Sequence, residues 1–149
     1  MTSHAETSGT GSETDLSSQL RQAVLRTSRR LRAEKADSEL SDTQSVVLAY
    51  LYNNGPSTPG ELARFERVTP PSMNRTLNAV VAAGYAERSP SAVDGRKVVM
   101  TLTPLGTALV LETRRRRDEW LHRRLDELTD ADRETLLRAS GILRGMADS

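Results

Sequence analysis

No cysteine occurs in the chain, which excludes disulfides, thiolate nucleophiles and cysteine-based metal or redox centres. Histidine is nearly absent as well: His4 and His122 are the only two, which argues against a His-rich metal site. Aromatic residues make up 3% of the chain, so there is little from which to build a second, separate core. No run of about 18 apolar residues exists, so no membrane span or membrane partner is expected. The N-terminus lacks the apolar h-region of a secretory signal, and the expected compartment is the cytoplasm. An excess of one charge is missing too: 21 Lys+Arg stand against 20 Asp+Glu, a formal net charge of +1. Proteins that coat nucleic acid regardless of sequence are strongly basic. A nucleic-acid role here therefore needs a local basic surface. There is no Gly-rich phosphate loop and no acid cluster with metal spacing, so neither enzyme machinery nor a cofactor is expected.

The 149 residues suffice for about one domain. Hydrophobic residues are 36% and charged residues 28%, a lean composition for a monomer core. Amphipathic helices that bury their faces against a partner chain fit it better. Residues 1–14 are dominated by Ser, Thr and Gly without apolar periodicity, and read as a disordered tail. From Asp15 the pattern turns helical: Leu16, Leu20, Val24, Thr27 and Leu31 recur every three or four residues, with arginines between them. This long helix is predicted to end near Asp37.

Three shorter helices follow. Ser41 caps one with Gln44 three residues on, a capping box, and Asn53-Asn54-Gly55-Pro56 ends it. Thr58-Pro59-Gly60-Glu61 starts the next, which runs to about Glu66. Thr69-Pro70-Pro71 starts a third, which runs to Ala83 and stops at Gly84. Strands are predicted at residues 85–89 and 97–103, joined through an Asp94-Gly95 turn. A long helix from about Pro104 to Glu127 and a last one from Asp130 to Ala147, capped by Thr129, complete the chain. The fold class is therefore mainly α with a small β-hairpin, and a doubly wound sheet is out.

Two short helices joined by a tight turn over residues 58–83 read as a helix-turn-helix. With Met73 at the centre of the inner face of the second helix, Leu77 and Val80 lie beside it. Pro71, Arg75 and Asn78 then fall on the outer face, with Ser72 and Asn74 on its flanks. That face is short-chained apart from Arg75 and carries no acid; after Glu66 the next acid is Glu87. A helix that enters a major groove needs this character, because an acid would meet phosphates and bulk would block approach. Arg pairs bidentately with guanine and Asn with adenine. A merely solvated face of this length usually carries Glu and Lys. Thr58 and the backbone N–H groups at the helix starts are candidates to hold phosphates. At the hairpin tip, Arg96 and Lys97 follow the turn, where an arginine can reach a minor groove. Asp94 is the candidate support, holding the Arg96 side chain or pairing with Arg75.

Several segments together resemble the MarR family of transcription regulators. They are Leu62-Ala63, Ser72-Met73-Asn74-Arg75, Gly84-Tyr85-Ala86-Glu87-Arg88, Asp94-Gly95-Arg96 and Leu102-Thr103-Pro104-Leu105-Gly106. Gln44 also sits where the family often opens its second helix. Val80-Val81 and Ala86 depart from the family's frequent residues without threatening the fold. The resemblance implies a winged helix-turn-helix plus a helical dimerisation region, and a homodimer, usually a repressor, on an inverted repeat of double-stranded DNA. It also implies release by a small aromatic or phenolic ligand bound between the dimerisation and DNA-binding parts. The absence of cysteine argues against the branch that senses peroxide through a thiol. The expected division is a tail (1–14), an N-terminal dimerisation helix (15–40), a winged helix-turn-helix (41–103) and C-terminal dimerisation helices (104–149).

The flanking helices agree with dimerisation, since Leu136, Leu137, Ile142, Leu143 and Met146 form a face that a lone helix cannot bury. Arg114-Arg115-Arg116-Arg117 points in four directions round its helix and is bracketed by acids, so it reads as solvated and salt-bridged. Packing roles are expected for Tyr50, Tyr52 and Trp120. Two other readings stand beside the regulator: a winged-helix protein-interaction module and a non-specific architectural DNA binder. Near-neutral charge disfavours the second, and the acid-free Arg75 face disfavours the first.

Overall fold

Hydroxyl caps set the starts of five helices in the computed structural model, which describes residues 10–37 and 39–149. The order is α1 (Thr10–Ala33), α2 (Asp42–Asn54), α3 (Pro59–Glu66), α4 (Pro70–Ala82), β1 (Ala86–Pro90), β2 (Val98–Leu102), α5 (Pro104–Asp126) and α6 (Asp130–Ala147). Ser41, Thr58, Thr69, Thr103 and Thr129 each accept the first free N–H groups of α2 to α6. Gln44 and Glu61 close full capping boxes on Ser41 and Thr58. Ser41→Ala is expected to cost about 1 kcal/mol. A thermal melt should show Tm lowered by about 2–4 °C.

The chain divides into two units, one ending at Glu34 and one spanning Lys35–Ser149. The first holds α1, which begins within the stretch read as a tail; residues 1–9 of that stretch lie outside the described residues. Extending a formed helix adds one hydrogen bond per residue fixed, so Gly and Ser at its end do not stop it. α1 ends at Ala33 rather than Asp37. Beyond it, the Ala36 N–H donates to Thr113 Oγ1 at 3.1 Å, and the Tyr85 hydroxyl donates to Asp37 at 2.7 Å. Thr113 on α5 thus takes the Ala36 N–H that a continued helix would have used, and Tyr85, between α4 and β1, holds the Asp37 side chain.

In the second unit, the apolar faces of α2, α3, α4, the hairpin and α5 meet in one core. Leu48, Leu62, Met73, Leu77, Val80 and Met100 are all but fully buried there. Each such side chain contributes about 1.5–3 kcal/mol by leaving water. β1 and β2 are antiparallel, with Ala86 opposite Leu102 and Arg88 opposite Met100. Ser57, between α2 and α3, adds a third pairing: its N–H donates to the Met100 carbonyl and its carbonyl accepts from the Met100 N–H. The hairpin is thereby tied to the start of α3. No helix among the described residues is long and apolar enough to cross a membrane.

Candidate nucleic-acid interface

The two faces of α4 are sharply divided. Met73, Leu77 and Val80 are 0% exposed, whereas Pro71, Ser72, Asn74, Arg75 and Asn78 are all exposed on the other side. The turn into α4 passes through Arg67, which takes a left-handed conformation (φ 54°), and the Val68 N–H returns to the Ala63 carbonyl at 3.0 Å. No glycine marks this turn in the sequence. Among the described residues, nothing pairs with the side chains of Arg75, Arg96 or Lys97. All three are exposed cations on α4 and the hairpin tip.

The starts of α3 and α4 are less open to phosphate than the sequence implies. Thr58 Oγ1 accepts from the Glu61 N–H at 3.1 Å, and the Thr58 N–H is itself taken by the Glu61 carboxylate at 3.2 Å. At α4, Pro70 and Pro71 have no N–H, and that of Ser72 goes to Thr69 Oγ1 at 3.3 Å. The Gly60 N–H and the hydroxyl hydrogens of Thr58, Thr69 and Ser72 remain as donors there.

At the hairpin tip, Asp94 supports the backbone instead of an arginine side chain. Its carboxylate accepts the Arg96 N–H at 3.1 Å, and its carbonyl accepts the Lys97 N–H at 3.0 Å. Ser91 Oγ accepts from the N–H groups of Val93 and Asp94 at 3.3 Å. No Asp94 pair with Arg96 or Arg75 side chains forms among the described residues. A guanidinium held by its own wing would be less available for a partner, and here the tip is ordered while Arg96 stays unpaired.

A residue that the sequence offered only as part of the family-like Gly84–Arg88 segment joins this surface. Arg88 on β1 donates to Asn78 Oδ1 on α4 at 2.6 Å. Strand parity was the available signal: Arg88 lies two residues beyond buried Ala86 and opposite buried Met100, so it leaves the sheet on the side that faces α4.

The arginine run on α5 forms an ion-pair lattice. Arg115 reaches Glu112 and Glu119 at 2.9 Å, and Arg116 reaches Glu112 at 3.0 Å. The two guanidiniums hold the Glu112 carboxyl down at about 2. Arg114 instead donates to Asn53 at 2.6 Å and lies 4.6 Å from the centre of the Tyr52 ring. Tyr50 packs on Phe65 with ring centres 4.5 Å apart. Elsewhere, the Tyr85 hydroxyl holds Asp37 below the usual carboxylate range, and that bond in turn raises the Tyr85 phenol.

A pocket opens between α2 and α5. Leu40, Leu48, Leu109 and Val110 give it apolar walls, and Ser45, Thr113, Arg114 and Arg117 give it polar ones. The Ser45 hydroxyl is buried there with no hydrogen-bond partner among the described residues. No group of three or more His, Asp or Glu side chains among those residues is placed to hold a metal ion.

A helix-turn-helix followed by an ordered hairpin, with cations exposed on both, defines a winged helix-turn-helix DNA-binding protein. The chain belongs to the MarR family of transcription regulators, whose family model matches residues 38–97. An HTH-type transcriptional regulator of Mycobacterium tuberculosis is 39% identical over 137 residues, 92% of this chain and 96% of that protein. Among solved structures, a transcriptional regulator protein from Pseudomonas aeruginosa is 27% identical, with a TM-score of 0.84 over 94% of this chain and 99% of its own. S. aureus MepR, solved bound to an oligodeoxyribonucleotide, shares the fold at 19% identity and a TM-score of 0.66, over 88% of this chain and 97% of its own. Bordetella bronchiseptica BpsR, whose DNA binding is regulated by 6-hydroxynicotinic acid, shares it at 24% identity and a TM-score of 0.63, over 99% of each chain.

Proposed function

We propose that the protein is a homodimeric repressor that binds an inverted-repeat operator in double-stranded DNA and is released by a small aromatic or phenolic ligand. The observation that carries this reading is the acid-free outer face of α4, where Arg75 is unpaired, next to a hairpin tip whose Arg96 and Lys97 are also unpaired. In this reading Arg75, Asn74, Asn78 and Ser72 face base edges or nearby phosphates, with Pro71 allowing close approach. Thr58 contacts the backbone, and Arg96 with Lys97 acts from the wing on its Asp94 support.

Dimerisation rests on α6, which has no buried residue although Leu137, Ile142 and Met146 are 75%, 66% and 57% exposed. A monomer would leave this stripe in water, whereas a two-fold partner covers it. α1 offers Leu16, Val24 and Leu25 in the same way. Two-fold symmetry places the half-sites about 10 bp apart, one helical turn. The ligand reading rests on the α2–α5 pocket, where an unpaired Ser45 hydroxyl lies among apolar walls. A phenolic group would satisfy that hydroxyl, and the neighbouring arginines suit an acidic substituent. The ligand acts by binding one dimer geometry better than the other.

The test is a fluorescence-anisotropy titration of DNA from upstream of this protein's gene against a scrambled duplex, at several salt concentrations. The expected result is tight binding to the first, with two protomers per site, and release by phenolic compounds. Equal, weak and steeply salt-dependent binding to both would favour the architectural reading. No binding would favour protein docking. In the same assay, Arg96→Ala is expected to weaken specific binding by about tenfold while the dimer stays folded. Unchanged affinity would remove the wing from the mechanism.

A further inference from the structure

On the DNA-binding reading above, we propose that Arg88 is a positioning residue that fixes the Asn78 amide, so that α4 presents an N–H donor to DNA there. The pair links β1 to the exposed face of α4 through a 2.6 Å hydrogen bond. The chemistry settles which way the amide points. A guanidinium has donors only, so the Asn78 oxygen must face Arg88. The amide nitrogen sits on the other arm of the same planar group and turns away from Arg88, toward the open side. A free asparagine reads adenine bidentately, donating to N7 while accepting from the N6 amine. With its oxygen turned in to a cation, Asn78 loses the accepting half of that pair. Its remaining N–H donor serves any base with a major-groove acceptor, N7 of adenine or guanine, O6 of guanine or O4 of thymine, so adenine loses its advantage over guanine and thymine. Sequence reading alone assigns Asn to adenine; the Arg88 contact changes that assignment.

The test enriches binding sites from a random duplex pool and then measures affinity for each base at every half-site position. The wild-type dimer is expected to bind adenine no better than guanine or thymine at one position of each half-site, and to disfavour cytosine there by about tenfold. Arg88→Met keeps the apolar stem but frees the amide to rotate, and should favour adenine over guanine and thymine at that position by about tenfold. Arg88→Lys keeps a cationic donor and should hold the preference. Asn78→Ala should abolish it, and adding Arg88→Met to Asn78→Ala should change nothing further at that position. Asn78→Asp offers a separate check, since its outward group becomes an acceptor and the preference should move toward cytosine, whose N4 amine donates. An Arg88→Met protein that keeps the base preference, and loses affinity equally for all sequences with a shallower salt dependence, would make Arg88 a phosphate contact and overturn the inference alone. So would an Asn78→Asp protein with unchanged preference. A wild-type protein that enriches no sequence would overturn the DNA-binding reading, and the inference with it.

Discussion

Replacing Gly106 by alanine is expected to destabilise the fold by about 3 kcal/mol or more, at the severe end of single substitutions. Intrinsic helix propensity points the other way, since alanine gains about 1 kcal/mol over glycine inside a helix. The local geometry decides the sign. A Cβ on Gly106 would lie 1.9 Å from the Tyr85 carbonyl oxygen and 2.9 Å from its carbon. That neighbour is backbone and cannot rotate away. The same oxygen accepts the Thr103 N–H at 3.1 Å, and Thr103 Oγ1 caps α5 through the Gly106 N–H, also at 3.1 Å. Relieving the clash therefore separates α5 from the base of the hairpin and strains the Tyr85 bond to Asp37. Urea or thermal unfolding measures it, and a loss of this size lowers Tm by about 6–12 °C. Unchanged stability would show that the first turn of α5 does not pack on Tyr85 as described.

The second large effect is on binding. Arg75→Ala is expected to remove one bidentate base contact from each half-site, worth about 1–3 kcal/mol apiece. In a symmetric dimer the loss counts twice, about 2–6 kcal/mol, or roughly thirtyfold to ten-thousandfold in Kd. The variant should stay folded, because Arg75 is exposed and makes no intramolecular pair among the described residues. Competition with operators altered at one base pair checks the assignment. Preference should relax at one position of each half-site and persist elsewhere. An equal loss for all sequences, with a shallower salt dependence, would reassign Arg75 to the phosphate backbone.

How much was legible follows the range of the interactions. Caps, prolines and glycines act within one turn, so residues 41–44, 58–61, 69–72 and 103–106 announce the starts of α2 to α5 directly. The helical period likewise separates Met73, Leu77 and Val80 from Arg75 and Asn78. The resemblance carried by Asp94-Gly95-Arg96 and Leu102-Thr103-Pro104-Leu105-Gly106 points to the family that the comparisons bear out. Less legible was the C-terminal end of α1, beyond which Thr113 on α5 and Tyr85 capture Ala36 and Asp37.

The sequence by itself determined the element order, the caps, the inward and outward faces of α4 and the class of protein. Each of these depends on residues a few positions apart. Only the tertiary structure decided that Arg88 turns the Asn78 amide and that Asp94 orders the wing backbone while leaving Arg96 unpaired. It also decided why residue 106 must be glycine. These are meetings of groups 2 to 21 positions apart whose outcome depends on side-chain direction and backbone approach, which spacing alone does not fix.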